Sequence, residues 1–513
     1  MFNARKTLAL SCLLIALGSA LPTEASVGQY RMEKFLPAGA KGATVTGLNE
    51  KGDVVGRYLN ANNVWVPYAY RGGVVQDLAY PNSLWDVTPT DINSQGRVVG
   101  YGTRTSASGA IVQTALVWNL ATNATANPVQ VYSFGNLNNG YSRFNSIDDN
   151  LGNPVGAANG RDFYGTNTMV SQPMGFDPDT NVQMGYPNLA NRAGMGGEIL
   201  NVSNNGVMVG WTLTLQGNAV AATWTNGVIK GIQAPAEATG SVRAISNSSA
   251  GVVGDYMVSP SQAKAWFAGI SMAPIPRLSG SLATDSNFAA GINSSGHVVG
   301  TCEIGNANFH GFIWDQQQVF SLSGLVEGLR PGNTIPSVAD INDRGEIAVT
   351  VRQSGIDSPA LLKPLQTVNC ALTLEDFVGS PSGAVVQWAA FNLAGDQVLD
   401  QGLTLINSQG LATIKTIVQG PADLVIKTSH WLSRRIRVNL GTFGSASYTS
   451  SLVNGDVDGD NTISIFDYID LSASFDKNQG DAGFNPYADL DGDETVSVFD
   501  YIILSNNFDR SGE

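Results

Sequence analysis

One unit recurs seven times between residues 28 and 365 of this 513-residue chain. Each copy carries a small or acidic residue, an Ile-Asn pair or a close variant, a turn that ends in Gly and, in most copies, a Val-Val-Gly run. Successive turn glycines are 44 to 56 residues apart, at Gly52, Gly96, Gly152, Gly206, Gly251, Gly296 and Gly345. A chain that repeats one unit at this period folds as an array, because each unit buries its apolar face only against a neighbour.

The pattern inside a unit predicts four short strands. The Asn-x-x-Gly segment predicts a tight turn, since Asn and Gly both tolerate positive φ. Alternation beside the turn predicts strands with one buried face, and a small residue followed by an aromatic residue marks a third strand. Tryptophans at this place are expected in the core between units: Trp118, Trp224, Trp266 and Trp314. Four strands in about 40–50 residues are typical of a propeller blade, so residues 28–365 are predicted to form a seven-bladed β-propeller in a mostly β chain.

The N-terminal part of this region has a strand without a unit of its own. The segment from Tyr30 to Leu36 alternates like a strand, whereas the seventh unit ends after Lys363 and lacks its fourth strand. We therefore predict that the N-terminal strand completes the seventh unit and closes the ring.

The repeats resemble the HAF repeats of secreted bacterial proteins, which are named for a His-Ala-Phe-x-Trp core. The most similar copy is His310-Gly-Phe-Ile-Trp314, with Gly in place of Ala. The resemblance covers most of residues 40–365. It implies an architecture and says almost nothing about function.

Residues 366–450 have a different pattern. Short alternating runs separated by Gly-containing turns predict six or seven strands in about 80 residues, which is typical of one small β-sandwich. The run from Lys427 to Leu432 resembles a segment of sandwich domains that precede dockerins, and we expect Trp431 and Leu432 in the sandwich core with His430 at an edge. A carbohydrate-binding face on this domain is an alternative, although the sequence marks no row of exposed aromatic residues.

Two copies of one twelve-residue loop lie near the C-terminus. Position 1 is Asp456 or Asp489, position 12 is Asp467 or Asp500, and both loops carry further aspartates at positions 3 and 5. These further carboxylates are Asp458 and Asp460 in the first loop, and Asp491 and Asp493 in the second. Hard oxygen donors at this spacing, with a backbone carbonyl at position 7, are what a calcium loop needs. The β-branched residue at position 8 predicts a short strand that pairs the two loops, and a helical pattern follows each loop.

Tandem loops of this kind, each followed by a helix, resemble a type I dockerin over about 60 residues, 452–513. The resemblance implies a small α module with Ca²⁺ at both loops and a cohesin module on another protein as the partner. It adds carbonyl ligands from Thr462 and Thr495, and water-mediated ligands from Ser464 and Ser497.

The chain departs from the dockerin pattern at two places. Position 6, usually Gly, is Asn461 and Glu494. Asn accepts positive φ more easily than Glu, so we expect the second site to be the weaker one. Positions 10 and 11 are apolar, Ile465-Phe466 and Val498-Phe499, where many dockerins carry polar partner-reading residues. Packing of these residues within the chain, against the sandwich or the other half, is the alternative to a standard cohesin partner.

Charge is concentrated in the same module. The net charge is −14, and residues 451–513 hold 14 acidic and two basic residues. The acidity therefore belongs to the calcium loops. Without a basic patch to neutralise phosphates, a nucleic acid is not an expected partner.

The N-terminus resembles a bacterial signal peptide, residues 1–25. Arg5 and Lys6 precede the apolar run Leu8–Leu17, and small residues follow, with a cut after Ala20 or Ala25. No other stretch reaches the roughly 18 apolar residues of a membrane span. An exported chain, secreted or on the cell surface, is expected. Its two remaining cysteines, Cys302 and Cys370, have no spacing that supports a bridge.

Function is the least constrained property. No His-Glu-x-x-His, Gly-x-Ser-x-Gly or phosphate-loop motif occurs, so no catalytic residue is predicted. The first hypothesis is a secreted non-catalytic scaffold or binding protein that docks to a cohesin-like partner or a cell-surface component. The alternative is a polysaccharide-degrading glycoside hydrolase or a carbohydrate-binding component. An aromatic-lined pocket with carboxylates about 5–10 Å apart would favour the enzyme, and a flat polar channel mouth would favour the scaffold.

Overall fold

The fold is taken from a computed structural model. It describes residues 28–79, 81, 85–106, 109–120, 130–132, 141–149, 152–161, 164–165, 167–269, 272–305 and 307–513. The predicted signal peptide lies outside the described residues. Among these residues, no helix is long and apolar enough to cross a membrane.

The chain is mostly β, as predicted. Up to residue 364 the strands are β1 Tyr30–Lys34, β2 Gly42–Leu48, β3 Val54–Leu59, β4 Trp65–Arg71, β5 Val74–Asp77, β6 Asp86–Ile92, β7 Arg97–Thr105, β8 Ile111–Asn119, β9 Gln130–Tyr132, β10 Ser142–Ile147, β11 Pro154–Arg161, β12 Asn167–Asp177, β13 Val182–Gly185, β14 Gly197–Val202, β15 Met208–Leu213, β16 Ala219–Thr225, β17 Val228–Gly231, β18 Val242–Ser248, β19 Gly251–Ser259, β20 Gln262–Ala268, β21 Met272–Pro274, β22 Asn287–Ile292, β23 Val298–Glu303, β24 Phe309–Trp314, β25 Val319–Ser321, β26 Thr334–Ile341, β27 Ile347–Gln353 and β28 Ile356–Pro364. One short helix, α1 Leu322–Leu325, lies between β25 and β26.

These strands form seven four-stranded antiparallel sheets within the described residues. Sheets 1 to 6 each take four consecutive strands, from β2–β5 to β22–β25, and sheet 7 has the order β1-β28-β27-β26. The first strand of each sheet packs against the second strand of the sheet before it, and β2 packs against β27. The last sheet therefore packs against the first. The predicted pairing of the N-terminal strand is confirmed, with Tyr30 opposite Pro364 and Lys34 opposite Ala360.

A β-bulge explains the Gly of the Val-Val-Gly run. In every sheet the register shifts by one residue near the end of the first strand, for example between Ile199 and Asn201. The bulge brings a first-strand carbonyl against the partner strand, and a Cβ on Gly210 would lie 2.0 Å from the Glu198 oxygen. Sheets 1 to 6 carry Gly at this position because a side chain there would meet the carbonyl, whereas sheet 7 has Val349 opposite its own bulge.

The Asn of the repeat acts differently from the expectation. It was predicted to tolerate positive φ, but the left-handed residue of the first turn is Gly52, with φ 81°. Asn49 accepts hydrogen bonds from the backbone N–H groups of Lys51 and Asp53, both at 2.9 Å, and its amide donates to the Asn93 carbonyl at 3.0 Å. The same donation links other neighbouring units, from Asn93 to Asp148, from Asn293 to Asn342 and from Asn342 to Asn49. The motif residue therefore ties one unit to the next.

The cores lie between sheets. The predicted tryptophans are buried, with exposures of 0% for Trp118, Trp224 and Trp266 and 7% for Trp314. Trp118 packs with Val55 and Ala69 of the preceding sheet. Both valines are buried in the runs that begin at Val54, Val98 and Val298, not alternate ones as predicted, because each sheet packs against a neighbour on both faces. In the run that begins at Val252 only the second valine is fully buried.

Two facing sheets follow. The strands are β29 Gln366–Leu374, β30 Val385–Phe391, β31 Val398–Leu405, β32 Leu411–Thr416, β33 Gly420–Thr428, β34 Arg434–Leu440 and β35 Ser445–Leu452. They form a three-stranded sheet, β32-β29-β35, and a four-stranded sheet, β31-β30-β33-β34. One apolar cluster with Val368, Trp388 and Ile426 fills the space between them, which is the sandwich arrangement expected here. Cys302 and Cys370 are both buried and unbridged.

The loop between β34 and β35 contacts the repeat region. The Phe443 ring packs edge-on against Tyr30 at 5.4 Å between ring centroids and against His297 at 6.1 Å. Arg31 of β1 donates to the Asp400 carboxylate at 2.7 Å and to the Lys415 carbonyl at 3.0 Å. The sandwich thus packs against the same strand that completes sheet 7.

The C-terminal module contains α2 Ile465–Ala473 and α3 Val498–Asn506, one after each loop. The prediction that the two loops pair through position 8 is wrong. Ile463 donates to and accepts from the segment after α3, through Arg510 and Asp509, and Val496 pairs with the segment after α2. Each loop is therefore held by the other half, because the chain after each helix returns to the opposite loop. The side chains of both residues are fully buried in the module's core.

Candidate metal centre

Three carboxylates converge in each loop. The oxygens of Asp456, Asp458 and Asp460 all lie within 4.8 Å of one another, and those of positions 1, 3 and 5 in the second loop do the same. The second set is Asp489, Asp491 and Asp493. Among the described residues these are the acidic groups that come together closely enough to hold a metal ion. Hard, anionic oxygens at this spacing fit a divalent cation such as Ca²⁺.

The position-12 carboxylates close the loops. Asp467 is fully buried and accepts N–H bonds from Asp458 at 3.1 Å and Ser464 at 2.7 Å. Asp500 is also fully buried and accepts the same pair, from Asp491 at 3.2 Å and Ser497 at 2.7 Å. The bonds from positions 3 and 9 are therefore common to both loops, and Asp500 accepts one more, from the Leu490 N–H at 2.6 Å. Position 12 is thereby joined to positions 3 and 9.

Position 6 has the expected strained backbone in both loops. Asn461 has φ 73° and Glu494 has φ 72°, in the left-handed region that favours glycine. Both N–H groups donate to the position-1 carboxylate, from Asn461 to Asp456 at 3.1 Å and from Glu494 to Asp489 at 3.0 Å. The Asn461 side chain also binds Ser433 of the sandwich, accepting from its N–H at 2.8 Å.

The position-9 and position-7 residues have roles that sequence reasoning did not identify. The Ser464 hydroxyl accepts a hydrogen bond from the Phe466 N–H at 3.1 Å, and the Asp467 carboxylate accepts one from the Ser464 N–H. These two bonds form a capping box at the start of α2. Ser497 caps α3 in the same way. The spacing Ser-x-x-Asp was the available signal. Thr462 and Thr495 form single β-bridges to Ser511 and Asn478.

Like charges and burial act on the loop carboxylates. Burial, followed by the neighbouring Asp500 charge, raises the pKa of Asp489 to about 6. Burial and the facing carboxylates also raise the pKa of Asp458 and of Asp491. Burial is the larger cause of all three pKa shifts, and the facing ionised oxygens add a repulsion that a bound divalent cation would relieve.

Apolar side chains cover the outer face of the two helices. Phe466 and Phe499 are each 62% exposed, and their neighbours Ile465 and Val498 are 53% and 52% exposed. The alternative that positions 10 and 11 pack within the chain is therefore wrong. Leu471 of α2 and Ile503 and Leu504 of α3 pack in the core of the module, so the first turn of each helix faces outward.

The sandwich contacts both loops. The Lys427 ammonium of β33 donates to the Asp456 carboxylate and to the Trp431 carbonyl. The Phe377 ring lies against Gly492 of the second loop, and Val378 donates to the Asp491 carbonyl at 2.8 Å. The module therefore packs against the sandwich at each of the two acidic loops.

The segment that precedes the first loop lies at this junction. His430 was expected at an edge, but it is 5% exposed and stacks on Trp431 at 3.8 Å, and its carbonyl accepts from the Asp456 N–H. Burial lowers the pKa of His430 to about 3. Trp431 packs in the sandwich core as predicted, but Leu432 packs in the core of the C-terminal module. The segment links two cores, which its sequence alone does not indicate.

A second acidic place lies where the seven sheets meet. A cavity of about 200 Å³ is lined by inner residues of several units, among them Glu50, Asp91, Asp149, Asp340 and Asp343. Burial raises the pKa of Asp91 and of Glu50 to about 7 each, and burial and the Asp91 charge raise the pKa of Asp340 well above its usual value. The described lining is mostly polar and includes no aromatic side chain, so it lacks the sugar-stacking surface of the enzyme hypothesis.

We expect Asp340→Asn to stabilise the protein at high pH. A raised folded-state pKa means that the ionised carboxyl destabilises the fold, so its contribution is favourable at low pH and is lost as the pH rises through that pKa. The free energy of unfolding from urea titration should be higher for Asp340→Asn than for the wild type at pH 8, because the amide carries no charge to bury. The gain should shrink as the pH falls towards 3.8, the usual pKa of Asp. A pH-independent effect of Asp340→Asn would contradict the assignment.

The chain has limited similarity to known proteins. No family model matches the chain, and no curated protein matches it. A mutant type II cohesin–X–dockerin complex from Acetivibrio cellulolyticus matches at 20% identity over 29% of this chain and 97% of that chain, with a TM-score of 0.24. The β-propeller domain of the Trilobed protease from Pyrococcus furiosus matches at 11% identity over 63% and 93%, with a TM-score of 0.40. An acylaminoacyl peptidase from Pyrococcus horikoshii matches at 12% identity over 64% and 52%, with a TM-score of 0.38. All three TM-scores lie below 0.5.

Proposed function

We propose that the protein is a secreted, non-catalytic binding scaffold whose C-terminal module binds two Ca²⁺ ions and docks to a cohesin-like partner. One observation carries the proposal. The two loops repeat the same convergence of three carboxylates and the same bonds to a buried position-12 carboxylate. Ca²⁺ prefers six to eight oxygen ligands in a flexible loop, and carboxylates supply most of them here. Carbonyls of Thr462 and Thr495 and waters held by Ser464 and Ser497 complete the proposed ligand set.

The proposed organisation has four parts. Residues 1–25 are a signal peptide, 28–365 a seven-bladed β-propeller of HAF-repeat type, 366–450 a β-sandwich and 452–513 a type I dockerin-like module. The propeller assignment is supported by the seven four-stranded sheets among the described residues, each packed against the next, and by the pairing of β1 with β28. The polar lining of the central cavity favours a scaffold over a glycoside hydrolase.

The exposed helix face supports a protein partner. Ile469 and Ile502 extend the apolar surface of the first turns, at 52% and 46% exposure. Each helix therefore presents a β-branched residue, a Phe and an Ile to the outside. Tyr468 and Tyr501 meet edge-on at 5.9 Å, which places the two copies side by side. An apolar surface of this kind on a highly acidic module is typical of a protein-binding site.

Calorimetric titration of the full chain with CaCl₂ tests the metal part. Two binding events are expected, both abolished by EGTA, and a parallel titration with MgCl₂ should give weaker heats because Mg²⁺ demands a tighter octahedral site. A chain that binds no Ca²⁺ at millimolar concentration would refute the proposal.

The docking part predicts Ca²⁺-dependent binding to a purified cohesin module. The double variant Phe466→Ser/Phe499→Ser should weaken that binding at least about 100-fold, because buried aromatic anchors commonly contribute 2 kcal/mol or more at an interface. Surface plasmon resonance against an immobilised panel of cohesins measures it. Leu403→Ser, on an exposed part of the sandwich, is the matched control. A panel without binders, while Ca²⁺ still binds, would remove the cohesin partner and leave the calcium module standing.

A further inference from the structure

The two loops differ in what faces their position-1 carboxylate. Asp456 is fully buried and forms an ion pair with the Lys427 ammonium, whose side chain is 23% exposed. Asp489 receives only backbone N–H groups, from Gly492 and Glu494, both at 3.0 Å. Among the described residues, no carboxylate of the second loop takes part in a salt bridge. One loop therefore carries a cation supplied by the protein and the other does not.

The ammonium is held firmly in place. Lys427 lies on β33 opposite Gln387 of β30, so its backbone is fixed inside the four-stranded sheet. Its ammonium also donates to the Trp431 carbonyl at 3.0 Å, and Trp431 is buried in the sandwich core. A lysine with two fixed acceptors and little exposure loses less conformational entropy on binding a carboxylate than a free surface lysine does.

The ammonium should have opposite effects with and without metal. A buried carboxylate without a cation is costly, and four facing carboxylates repel one another, so Lys427 stabilises the first loop when Ca²⁺ is scarce. When Ca²⁺ enters the same loop, its two positive charges lie close to the ammonium in a partly buried place, and the repulsion lowers affinity. Within the part of the chain that the structure describes, the second loop has no such ammonium, so it is not stabilised in this way without Ca²⁺, and its Ca²⁺ affinity is not lowered by a nearby positive charge.

We propose that Lys427 acts as an internal cation that holds the first loop folded at low Ca²⁺ and lowers its Ca²⁺ affinity, so that the second loop fills first. The inference rests on the proposed function, because it concerns the same two Ca²⁺ sites. It reverses the order expected from position 6, where Glu494 was predicted to weaken the second site. Both position-6 residues already have nearly the same positive φ in the folded loops. The strain at Glu494 therefore lowers the stability of the folded loop and is not an added cost of binding the metal.

Calorimetry on the full chain with single loops disabled tests the inference. Asp500→Asn leaves the first loop and Asp467→Asn leaves the second. Adding Lys427→Met should raise the Ca²⁺ affinity of the first loop at least about tenfold and leave that of the second loop unchanged. Lys477→Met removes the same charge from the C-terminal module without a described bond to a loop carboxylate, and it should change neither affinity. Lys427→Gln, which keeps a donor for the Trp431 carbonyl, replaces the Met variant if that one does not fold.

The outcomes separate the two proposals. Two sites in the wild type, with the second loop filling first and the Lys427→Met gain confined to the first loop, support the inference. Two sites with the second loop filling last, or a first loop indifferent to Lys427→Met, overturn it and leave the calcium function intact. No Ca²⁺ binding in the wild type overturns both. A circular-dichroism melt in EGTA adds a second readout, in which Lys427→Met should lower the melting temperature of the helical signal and Lys477→Met should not.

Discussion

The Asp500→Asn variant is expected to lose one of two Ca²⁺ sites. Asp500 is fully buried, and its two oxygens accept N–H bonds from positions 3 and 9, so an amide would turn one acceptor into a donor that faces a donor. The change also removes one charged ligand from four. We expect the dissociation constant of the second loop to rise by at least about 100-fold, or about 2.8 kcal/mol, as measured by calorimetry.

Two further variants serve as a matching test and as a control for Asp500→Asn. Asp467→Asn should remove the other site to a similar extent, because Asp467 also accepts N–H bonds from positions 3 and 9 of its loop. Asp470→Asn changes an exposed carboxylate on α2 outside the loop and should leave both sites intact. Equal affinities for the wild type and Asp500→Asn would show that position 12 does not bind the ion and would refute the ligand set.

The second large effect is expected in the repeat region. Gly210→Ala should destabilise the protein by about 3 kcal/mol or more, because the new Cβ would lie 2.0 Å from the Glu198 carbonyl oxygen and 3.0 Å from two further backbone atoms. Backbone atoms held in a ladder and a bulge cannot move aside as a flexible side chain can. Urea denaturation followed by tryptophan fluorescence measures the loss, since Trp224 lies in the same sheet.

Gly324→Ala is the matched control for backbone entropy alone. Gly324 lies in α1 with no neighbour within 4 Å of an added Cβ, so the same substitution there should be neutral or slightly stabilising. A mild effect of Gly210→Ala, comparable with that of Gly324→Ala, would mean that the bulge can relax at Gly210 and that this sheet, like sheet 7 with Val349, accepts a side chain there.

The repeat period was enough to predict the strands, the paired N-terminal segment and the buried tryptophans. Local alternation and turn chemistry are encoded within each unit, so they can be read from it. The bulge opposite Gly210 could not be predicted, because it depends on the register between two strands. The amide of Asn49 was misread for a similar reason, since its partner is Asn93 in the next unit.

The carboxylates at positions 1, 3 and 5 were predicted from spacing alone and converge in the structure, because a twelve-residue loop encodes its own geometry. What surrounds the loops was not predicted. Lys427 meets Asp456 across a boundary between two modules, and no periodicity links them. Leu432 was predicted in the sandwich core but packs in the core of the C-terminal module. A short apolar run between two domains does not indicate which of their two cores it joins.

The seventh sheet has a consequence for the order of folding. Six sheets are each made from one contiguous segment, whereas sheet 7 needs Tyr30–Lys34 and Ile356–Pro364 together. Contacts between such distant segments form late, since loop closure must come first and the last segment must have left the ribosome. Until then β28 keeps one unpaired edge, and the Phe443 loop has no Tyr30 to pack against. The sandwich and the C-terminal module behind it therefore reach their final position only after the two ends of the repeat region have met.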